Sequence, residues 1–107
     1  MEDCIFCKIA AKEMTADIVR EGDEFVAFND INPRAKTHIL IIPRKHIPTM
    51  NDLNEAEGDD VLIGRMMLFA RDLAKEKELN GHRLQFHVGK GGGQIIFHIH
   101  LHLMSDQ

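Results

Sequence analysis

Apolar residues alternate with histidines near the C-terminal end of the chain, which reads Phe97-His98-Ile99-His100-Leu101-His102-Leu103-Met104. Because successive side chains of a strand point to opposite faces, the pattern predicts a strand over 98–104 with three imidazoles on one face. The same alternation puts four apolar residues on the other face: Phe97, Ile99, Leu101 and Leu103. Residues 83–88 alternate too and predict the preceding strand, joined to this one by the glycine cluster 89–93.

The rest of the chain supplies two helices and three further strands. Leu62, Met66, Phe69 and Leu73 recur at helical spacing, which predicts a helix over about 55–79 that stops at Asn80-Gly81. A short helix is expected over 4–12, with an apolar stripe of Ile5, Phe6 and Ile9. Segments 18–20 and 24–28 read as a hairpin, and the almost wholly apolar 38–43 reads as a central strand. The predicted fold class is α+β, with an antiparallel sheet of about five strands, one long helix and a short N-terminal helix.

Composition limits the class of protein. The chain has 107 residues, 44% of them hydrophobic, and is expected to form one domain over 1–107. Its apolar runs are too short for the roughly 20 residues that cross a bilayer. The segment Met1-Glu2-Asp3 is acidic where a secretory signal is basic, so a cytoplasmic protein without membrane contact is expected. A net charge of −4 argues against a nucleic-acid polymer as partner.

The three alternating imidazoles are hard to ascribe to packing, because each ring brings polar nitrogens that need partners. A strand can offer His-x-His to a metal ion, with a third ligand supplied from elsewhere. Alternatively, a neutral imidazole can attack phosphorus while neighbouring groups stabilise the developing charge. The glycine cluster favours the second interpretation, since backbone amides without side chains can approach phosphate oxygens closely.

Several motifs together resemble one family. The segment from Gly92-Gly93-Gln94 through Phe97 to His102 is similar to the histidine-triad signature, and it is accompanied by Cys4-Ile5-Phe6-Cys7, by Phe28-x-Asp30-Ile31 and by 37–46. The resemblance is to the Hint branch. It implies hydrolysis of purine nucleoside phosphoramidates without a catalytic metal, a purine nucleotide such as AMP or GMP as ligand, and a homodimer in which two sheets join.

The resemblance also implies roles for individual residues. His100 would attack the α-phosphorus to form a nucleotidyl-histidine, His102 would contact phosphate oxygens or the leaving group, and His98 and His38 would complete the cluster. Asp30 would accept the ribose hydroxyls, and Gly93 and Gln94 would lie beside the phosphate. The apolar slot for the base would consist of Ile5, Phe6, Ile9, Phe28, Ile31 and Leu40.

The two cysteines, Cys4 and Cys7, form a CxxC pair, which in a reducing compartment favours metal or redox chemistry over a structural disulfide. The resemblance implies a structural zinc on Cys4, Cys7, His46 and His98, a complete Cys₂His₂ set. The alternative is two reduced cysteines on a short helix beside an exposed His46.

Two positions depart from the resembled family. His87 stands where relatives usually have asparagine, and Ile95 stands where they usually have serine, both near the phosphate or leaving group. These two positions favour, as one alternative, a weakly catalytic nucleotide-binding or protein-interaction module. The other alternative is a dinucleoside polyphosphate hydrolase, which would use the same triad on a different leaving group. The choice between adenine and guanine stays open.

Overall fold

Five antiparallel strands form one sheet in the computed structural model, which describes residues 3–107. The strands are β1 (Ile18–Glu21), β2 (Phe25–Asn29), β3 (Thr37–Pro43), β4 (Arg83–Gln85) and β5 (Leu101–Ser105). Their order in the sheet is β1-β2-β3-β5-β4. The α+β class is confirmed, with β3 at the centre of the sheet. The acidic segment discussed above begins with Met1 and Glu2, which lie outside the described residues.

The two faces of the sheet carry separate apolar clusters. On one face Ile39, Ile41 and Leu101 pack with residues of the long helix α2 (Asp59–Glu76). On the other face Leu40 and Phe28 pack with the short helix α1 (Ile5–Ala10). Full burial of one such aliphatic or aromatic side chain contributes about 1.5–3 kcal/mol. β3 is buried on both faces, and the polar residues of the α1 side of the sheet lie on or beside it.

Residues with positive φ set the ends of α2. The segment Glu55–Glu57 is a separate 3₁₀ turn, because Gly58 has a φ of +82° and interrupts the helical geometry before Asp59. At the other end Glu78, with a φ of +57°, follows the last turn. The predicted stop at Asn80-Gly81 was therefore wrong, and so were the outer bounds of the predicted helix. A left-handed residue other than glycine carries no signal in the sequence pattern.

The histidine segment is only partly a strand. The pairing of β5 with β3 ends at Leu101 opposite Ile41, and the Ile99 amide instead donates to the Ile47 carbonyl at 2.8 Å. The prediction of a regular strand from residue 98 was therefore wrong. Phe97 was wrongly placed on the apolar face, since it is 46% exposed. β3 continues to Pro43, so the pairing stops before the partner strand ends, where Ile99 turns to the Ile47 carbonyl instead.

The outer elements are also shorter than predicted. β4 covers only Arg83–Gln85 rather than 83–88, and α1 covers Ile5–Ala10 rather than 4–12. Ile5 does not share the buried stripe of Phe6 and Ile9, because its side chain is 38% exposed. Neither helix within residues 3–107 has the length and apolar character needed to span a membrane.

Candidate active site

Four histidines are buried together on the α1 side of the sheet. His38 on β3 and His102 on β5 belong to the regular ladder, and His102 pairs with Leu40 in register. His98 and His100 precede β5, in the segment held by the bond between Ile99 and Ile47. All four side chains are at most 9% exposed. Buried imidazoles need partners for their nitrogens, so their hydrogen bonds define their protonation.

His100 has one ring nitrogen tied to the backbone. Its Nδ1 lies 2.8 Å from the His98 carbonyl oxygen, which can only accept, so Nδ1 carries the proton. Burial lowers the pKa of His100 and keeps the ring neutral. The edge of this ring packs against Phe6 at a centroid distance of 5.1 Å. The result is an oriented imidazole whose Nε2 lone pair is available to attack an electrophile.

His102 is oriented by a second histidine. The Arg34 amide donates to Nδ1 of His38 at 3.1 Å, so the proton of His38 is on Nε2. That Nε2 lies 2.9 Å from Nδ1 of His102 and donates to it, which puts the remaining proton of His102 on its own Nε2. Burial, with further contributions from neighbouring imidazoles, lowers the pKa of His102 to about 4. His102 therefore offers a neutral N–H, and within residues 3–107 this buried atom has no hydrogen-bond partner.

Asp30 extends this arrangement, and we call Asp30, His38 and His102 the relay. One Asp30 oxygen lies 3.4 Å from Nε2 of His38, and the other accepts from the Asn32 amide at 2.9 Å. The relay also has the donor atoms of a small metal site, all within 4.8 Å of one another. Protonation argues against a metal there. With Nδ1 of His38 occupied by the Arg34 amide, a metal on Nε2 would require that ring to lose both protons.

A second group of four residues, which we call the metal cluster, has its donor atoms arranged so that a metal ion could bind. Cys4, Cys7, His46 and His98 bring one donor atom each to within 4.8 Å of the others. Nδ1 of His98 lies 3.4 Å from the sulfur of Cys4 and 3.2 Å from Nδ1 of His46. Nε2 of His98 lies 2.8 Å from the Pro43 carbonyl and donates to it, which leaves the Nδ1 lone pair facing the cluster.

The donor spacings fit a tetrahedral zinc ion. Zinc–sulfur bonds near 2.3 Å and zinc–nitrogen bonds near 2.05 Å place nitrogens about 3.3 Å apart and sulfur about 3.5 Å from nitrogen. The corresponding spacings here are 3.2 Å between the two imidazoles and 3.3–3.5 Å between sulfur and nitrogen. Burial, reinforced by the neighbouring thiol of Cys4, raises the pKa of Cys7 to about 11. A bound cation would remove that penalty on the thiolate.

The glycine cluster is a closed turn rather than an open cradle. The amides of Gly92 and Gln94 donate to the Gly89 carbonyl, and the Gly93 amide donates to Lys90. The buried side chain of Gln94 holds the loop from inside. Its Nε2 donates to the carbonyls of Pro48 and Ile96, and its Oε1 accepts from the Gly89 amide. These amides are committed within the loop, whereas the N–H of His102 has no partner within residues 3–107.

The residues predicted for the base and the leaving group fall into two groups. Four predicted slot residues are buried in the cluster beside α1: Phe6, Ile9, Phe28 and Leu40. Three other predicted residues are exposed, namely Ile31 at 89%, Ile95 at 87% and Ile5 at 38%. The ring of His87 lies 4.9 Å from that of His102, centroid to centroid. The structure therefore gathers part of the predicted slot, and it adds a fifth imidazole to the four buried ones.

Sequence reasoning missed three contributors. The backbone amide of Arg34 orients His38. One nitrogen of the Arg34 guanidinium lies 3.5 Å from Nδ1 of His102. The Pro43 carbonyl fixes the tautomer of His98. Phe6, assigned only to the base slot, also packs against the nucleophile candidate His100. The first two act through backbone atoms, which leave no residue-type signal in a sequence.

Comparison with known proteins gives consistent results. Residues 3–107 match the family model described as scavenger mRNA decapping enzyme C-term binding. The purine nucleoside phosphoramidase of Escherichia coli (strain K12) is 45% identical, covering 99% of this chain and 89% of that protein. Protein HitA of Neisseria gonorrhoeae is 46% identical, covering 98% and 97%.

Two solved structures of histidine-triad proteins are also similar to this chain. The HIT family hydrolase from Legionella pneumophila Philadelphia 1 is 46% identical with a TM-score of 0.91, covering 98% of this chain and 94% of that one. A histidine triad protein from Clostridium difficile is 38% identical with a TM-score of 0.93, covering 100% and 93%. The five-stranded fold and the two helices are thus shared across these relatives.

Proposed function

Because the chain belongs to the histidine-triad family and is a nucleotide hydrolase of that family, we propose that it cleaves purine nucleoside phosphoramidates through a covalent bond to His100. The observation that carries this proposal is the hydrogen bond between Nδ1 of His100 and the His98 carbonyl, at 2.8 Å. It leaves Nε2 as a neutral nucleophile in a buried and oriented ring.

The reaction proceeds in two displacements. Nε2 of His100 bonds to the α-phosphorus while the phosphorus–nitrogen bond of the substrate breaks, and the electron pair stays on the departing nitrogen, which takes up a proton. Water then attacks the nucleotidyl-histidine, its proton is removed, and the nucleoside monophosphate leaves with His100 restored. The Nε2–H of His102 is suited to donate to a phosphate oxygen as negative charge develops there.

The nucleotide is proposed to lie against the buried cluster beside α1. Phe28 and Leu40 supply apolar surface for the base, together with Phe6 and Ile9. Asp30, whose side chain is 18% exposed, supplies a carboxylate for the ribose hydroxyls. Ile31 and Ile5 are exposed and can close over the base. AMP and GMP both fit this chemistry, since apolar contacts do not distinguish the two purines.

The metal cluster is proposed to hold one structural zinc through Cys4, Cys7, His46 and His98. The fit rests on the tetrahedral spacing of the four donor atoms and on the Pro43 carbonyl that fixes His98. A zinc ion bound there would stabilise the folded chain by joining α1 to the segment that precedes β5. His100 and His102 are not ligands in this arrangement, so the two displacements need no metal.

The protein is further proposed to be a cytoplasmic homodimer. Within residues 3–107, β4 is an edge strand of three residues that pairs only with β5, so its outer side can extend the sheet. Light scattering coupled to gel filtration tests the dimer directly. A monomer mass at micromolar concentration would refute it.

A dinucleoside polyphosphate hydrolase is the second candidate, and Arg34 favours it. Its guanidinium lies near His102, and within residues 3–107 no carboxylate approaches it to 4.0 Å. A cation at this position would stabilise a departing nucleoside polyphosphate, which is more negative than an amine.

Turnover on two substrate classes separates the candidates. We expect an aminoalkyl adenosine phosphoramidate to be hydrolysed with a larger kcat/KM than a diadenosine polyphosphate. The reverse order would favour the second candidate. Tight AMP binding without turnover of either compound would contradict hydrolysis and leave a nucleotide-binding module.

A further inference from the structure

Both cysteines of the chain belong to the metal cluster, and neither is sealed from solvent. Cys4 and Cys7 are free thiols, and each residue is half-buried. Of the other two members, His46 is half-buried and His98 is fully buried. Small oxidants in solution can therefore reach the sulfur side of the metal cluster.

The two cysteines are also placed to bond to each other. Cys4 caps the N-terminus of α1, where its sulfur accepts from the Cys7 amide at 3.3 Å. Their sulfur atoms lie within 4.8 Å of each other. Residues three apart on a helical turn have Cβ atoms about 5–6 Å apart, and a disulfide needs about 3.5–4.5 Å, so a small movement of the first turn suffices. In reducing compartments, disulfides of this kind are usually transient and redox-sensing.

Phe6 connects the metal cluster to the site proposed for the nucleotide. It lies between the two cysteines in the sequence, and its side chain is buried. Its ring packs edge-on against His100 at 5.1 Å and against Phe28 at 5.6 Å, centroid to centroid. Because Phe6 and Phe28 belong to the apolar surface proposed for the base, the position of the first turn of α1 determines the shape of that surface.

The other end of α1 is held without the cysteines. Ile9 and Ala10 are buried in the apolar cluster on this face of the sheet. The guanidinium of Arg44 donates to the Ala10 carbonyl at 2.8 Å. The bond from His100 to the His98 carbonyl involves no cysteine either. Loss of the sulfur ligands would thus loosen the N-terminal turn of α1 and leave the rest of the helix and the nucleophile in place.

We propose that Cys4 and Cys7 are a site of reversible oxidation, at which a disulfide forms, zinc is released and nucleotide binding weakens. The inference rests on the proposed zinc site and goes beyond it by assigning a covalent modification to its sulfurs. Hydrogen peroxide is the oxidant. One thiolate attacks the oxygen–oxygen bond, which gives a sulfenic acid and a hydroxide ion. The other thiolate attacks that sulfur, and the sulfur–oxygen bond breaks with release of a second hydroxide, so the two electrons lost by sulfur reduce one peroxide.

The disulfide is incompatible with the zinc site. The thiolate is the form of cysteine that binds a metal, and the sulfur atoms must move from about 3.8 Å apart around a tetrahedral zinc to about 2.05 Å in a disulfide. Only His46 and His98 would remain as donors, which is too few for a four-coordinate structural site. Phe6 then loses its fixed position, whereas the hydrogen bond that orients His100 is kept. The expected signature is a weaker nucleotide affinity with little change in kcat.

The test treats the zinc-loaded protein with a few molar equivalents of hydrogen peroxide. Zinc release is followed with a chromogenic chelator, the disulfide by mass spectrometry of the denatured chain, and AMP affinity by calorimetry. We expect about one zinc released per disulfide formed and a rise in the Kd of AMP of about two- to tenfold, the usual effect of one lost aromatic contact. The kcat on an adenosine phosphoramidate should change by less than about twofold. Dithiothreitol with added zinc should restore both zinc content and affinity.

The double variant Cys4→Ser and Cys7→Ser is the matched control. It cannot form the disulfide, so peroxide should leave its AMP affinity unchanged, and any change would report oxidation of methionines instead. Before treatment, its Kd for AMP should already equal that of the oxidised wild-type protein, because both lack the sulfur ligands.

Zinc retained at about a tenfold excess of peroxide, a disulfide between two chains, or an equal change in the control would each overturn the inference. So would zinc release without a change in AMP affinity, or a loss that dithiothreitol and zinc do not reverse. All of these results would leave the proposed hydrolysis and the zinc site standing. If the wild-type protein bound no zinc before treatment, the zinc site itself would fail, and the inference with it.

Discussion

Two histidine clusters lie on the α1 side of the same sheet, and they differ in where each imidazole proton goes. In the metal cluster the proton of His98 is held outward by the Pro43 carbonyl, so its lone pair converges with the other donor atoms. In the relay the proton of His38 points at the lone pair of His102, so the two rings satisfy each other. Within residues 3–107, the proton on Nε2 of His102 is buried and has no acceptor.

The hydrogen-bond partner of each ring, more than the number of rings, therefore determines what a histidine cluster can do. One backbone carbonyl, that of Pro43, leaves the Nδ1 lone pair of His98 available to a metal ion. One backbone amide, that of Arg34, turns His38 into a donor. The tautomer of His100 is fixed by the His98 carbonyl.

The largest effect is expected at His100. His100→Gly removes the imidazole assigned as the nucleophile, so turnover of an adenosine phosphoramidate should fall by several powers of ten. Because His100 is not part of the metal cluster, the zinc content should be unchanged. The fold and the AMP affinity of the protein should be unchanged as well. Retention of even a tenth of wild-type kcat would contradict the assignment of the nucleophile.

The next effect isolates the metal cluster. Purified protein should carry about one zinc per chain by atomic emission, and the double variant Cys4→Ser and Cys7→Ser should lose it. A ligand present at about 100–1,000 times its Kd stabilises the native state by about 3–4 kcal/mol, so the urea midpoint should fall accordingly. Activity should survive in part, because no displacement involves zinc. If the wild-type protein were purified without zinc and had the same urea midpoint as the variant, the site would be refuted.

The relay should make stability depend on pH. The pKa of His102 is lowered from 6.5 to about 4 by burial, so between these values the unfolded chain binds a proton that the folded chain does not. Stability is therefore lost as pH falls from 6.5 towards 4, by at most about 3 kcal/mol at 1.36 kcal/mol per pKa unit. Urea titrations of wild type and His102→Gln should show a smaller loss in the variant. Equal losses would contradict a neutral, buried His102.

A smaller effect is expected when the relay alone is broken. His38→Phe removes the donor to Nδ1 of His102, so the outward N–H of His102 is no longer enforced. Loss of one hydrogen bond, about 0.5–1.5 kcal/mol, should lower kcat/KM by up to about tenfold. Zinc content should stay at the wild-type value, which separates this variant from the cysteine pair. A coupled loss of zinc would show that the clusters are not independent.

The smallest effect is expected at Ile95. Its side chain is 87% exposed, so Ile95→Ser should change turnover of the phosphoramidate by less than about twofold. The family that the sequence resembles usually has serine here, near the phosphate or leaving group. A tenfold gain for Ile95→Ser would show that this side chain reaches the leaving group despite its exposure.

The apolar pattern along the whole chain was enough to predict the fold class, and the alternation around His100 predicted the gathering of the imidazoles. Periodicity also located β3 and α2, because long apolar patterns depend on side-chain type alone. The ends were less predictable. Gly58 and Glu78 terminate α2 through their φ angles, and the regular strand begins only at Leu101 because Ile99 bonds to Ile47 instead of to β3. These limits arise from tertiary pairing, which no local pattern encodes.

The sequence predicted which residues form the site, but not which nitrogen of each imidazole carries the proton. Cys4, Cys7, His46 and His98 were grouped from the resemblance, and the structure brings their donor atoms together. The amide of Arg34 and the carbonyl of Pro43 could not be found in the same way, because every residue of a chain has similar backbone atoms. Their importance depends only on where the fold places them.

A covalent bond between the nucleotide phosphorus and His100 is the central claim, and trapping it is the most direct test. The double variant Cys4→Ser and Cys7→Ser is mixed with excess adenosine phosphoramidate, quenched in alkali within one turnover, and digested for peptide mass spectrometry. We predict an adenylyl group on His100, formed without zinc and absent from His100→Gly. Turnover without any adduct, or an adduct on another residue, would contradict the claim.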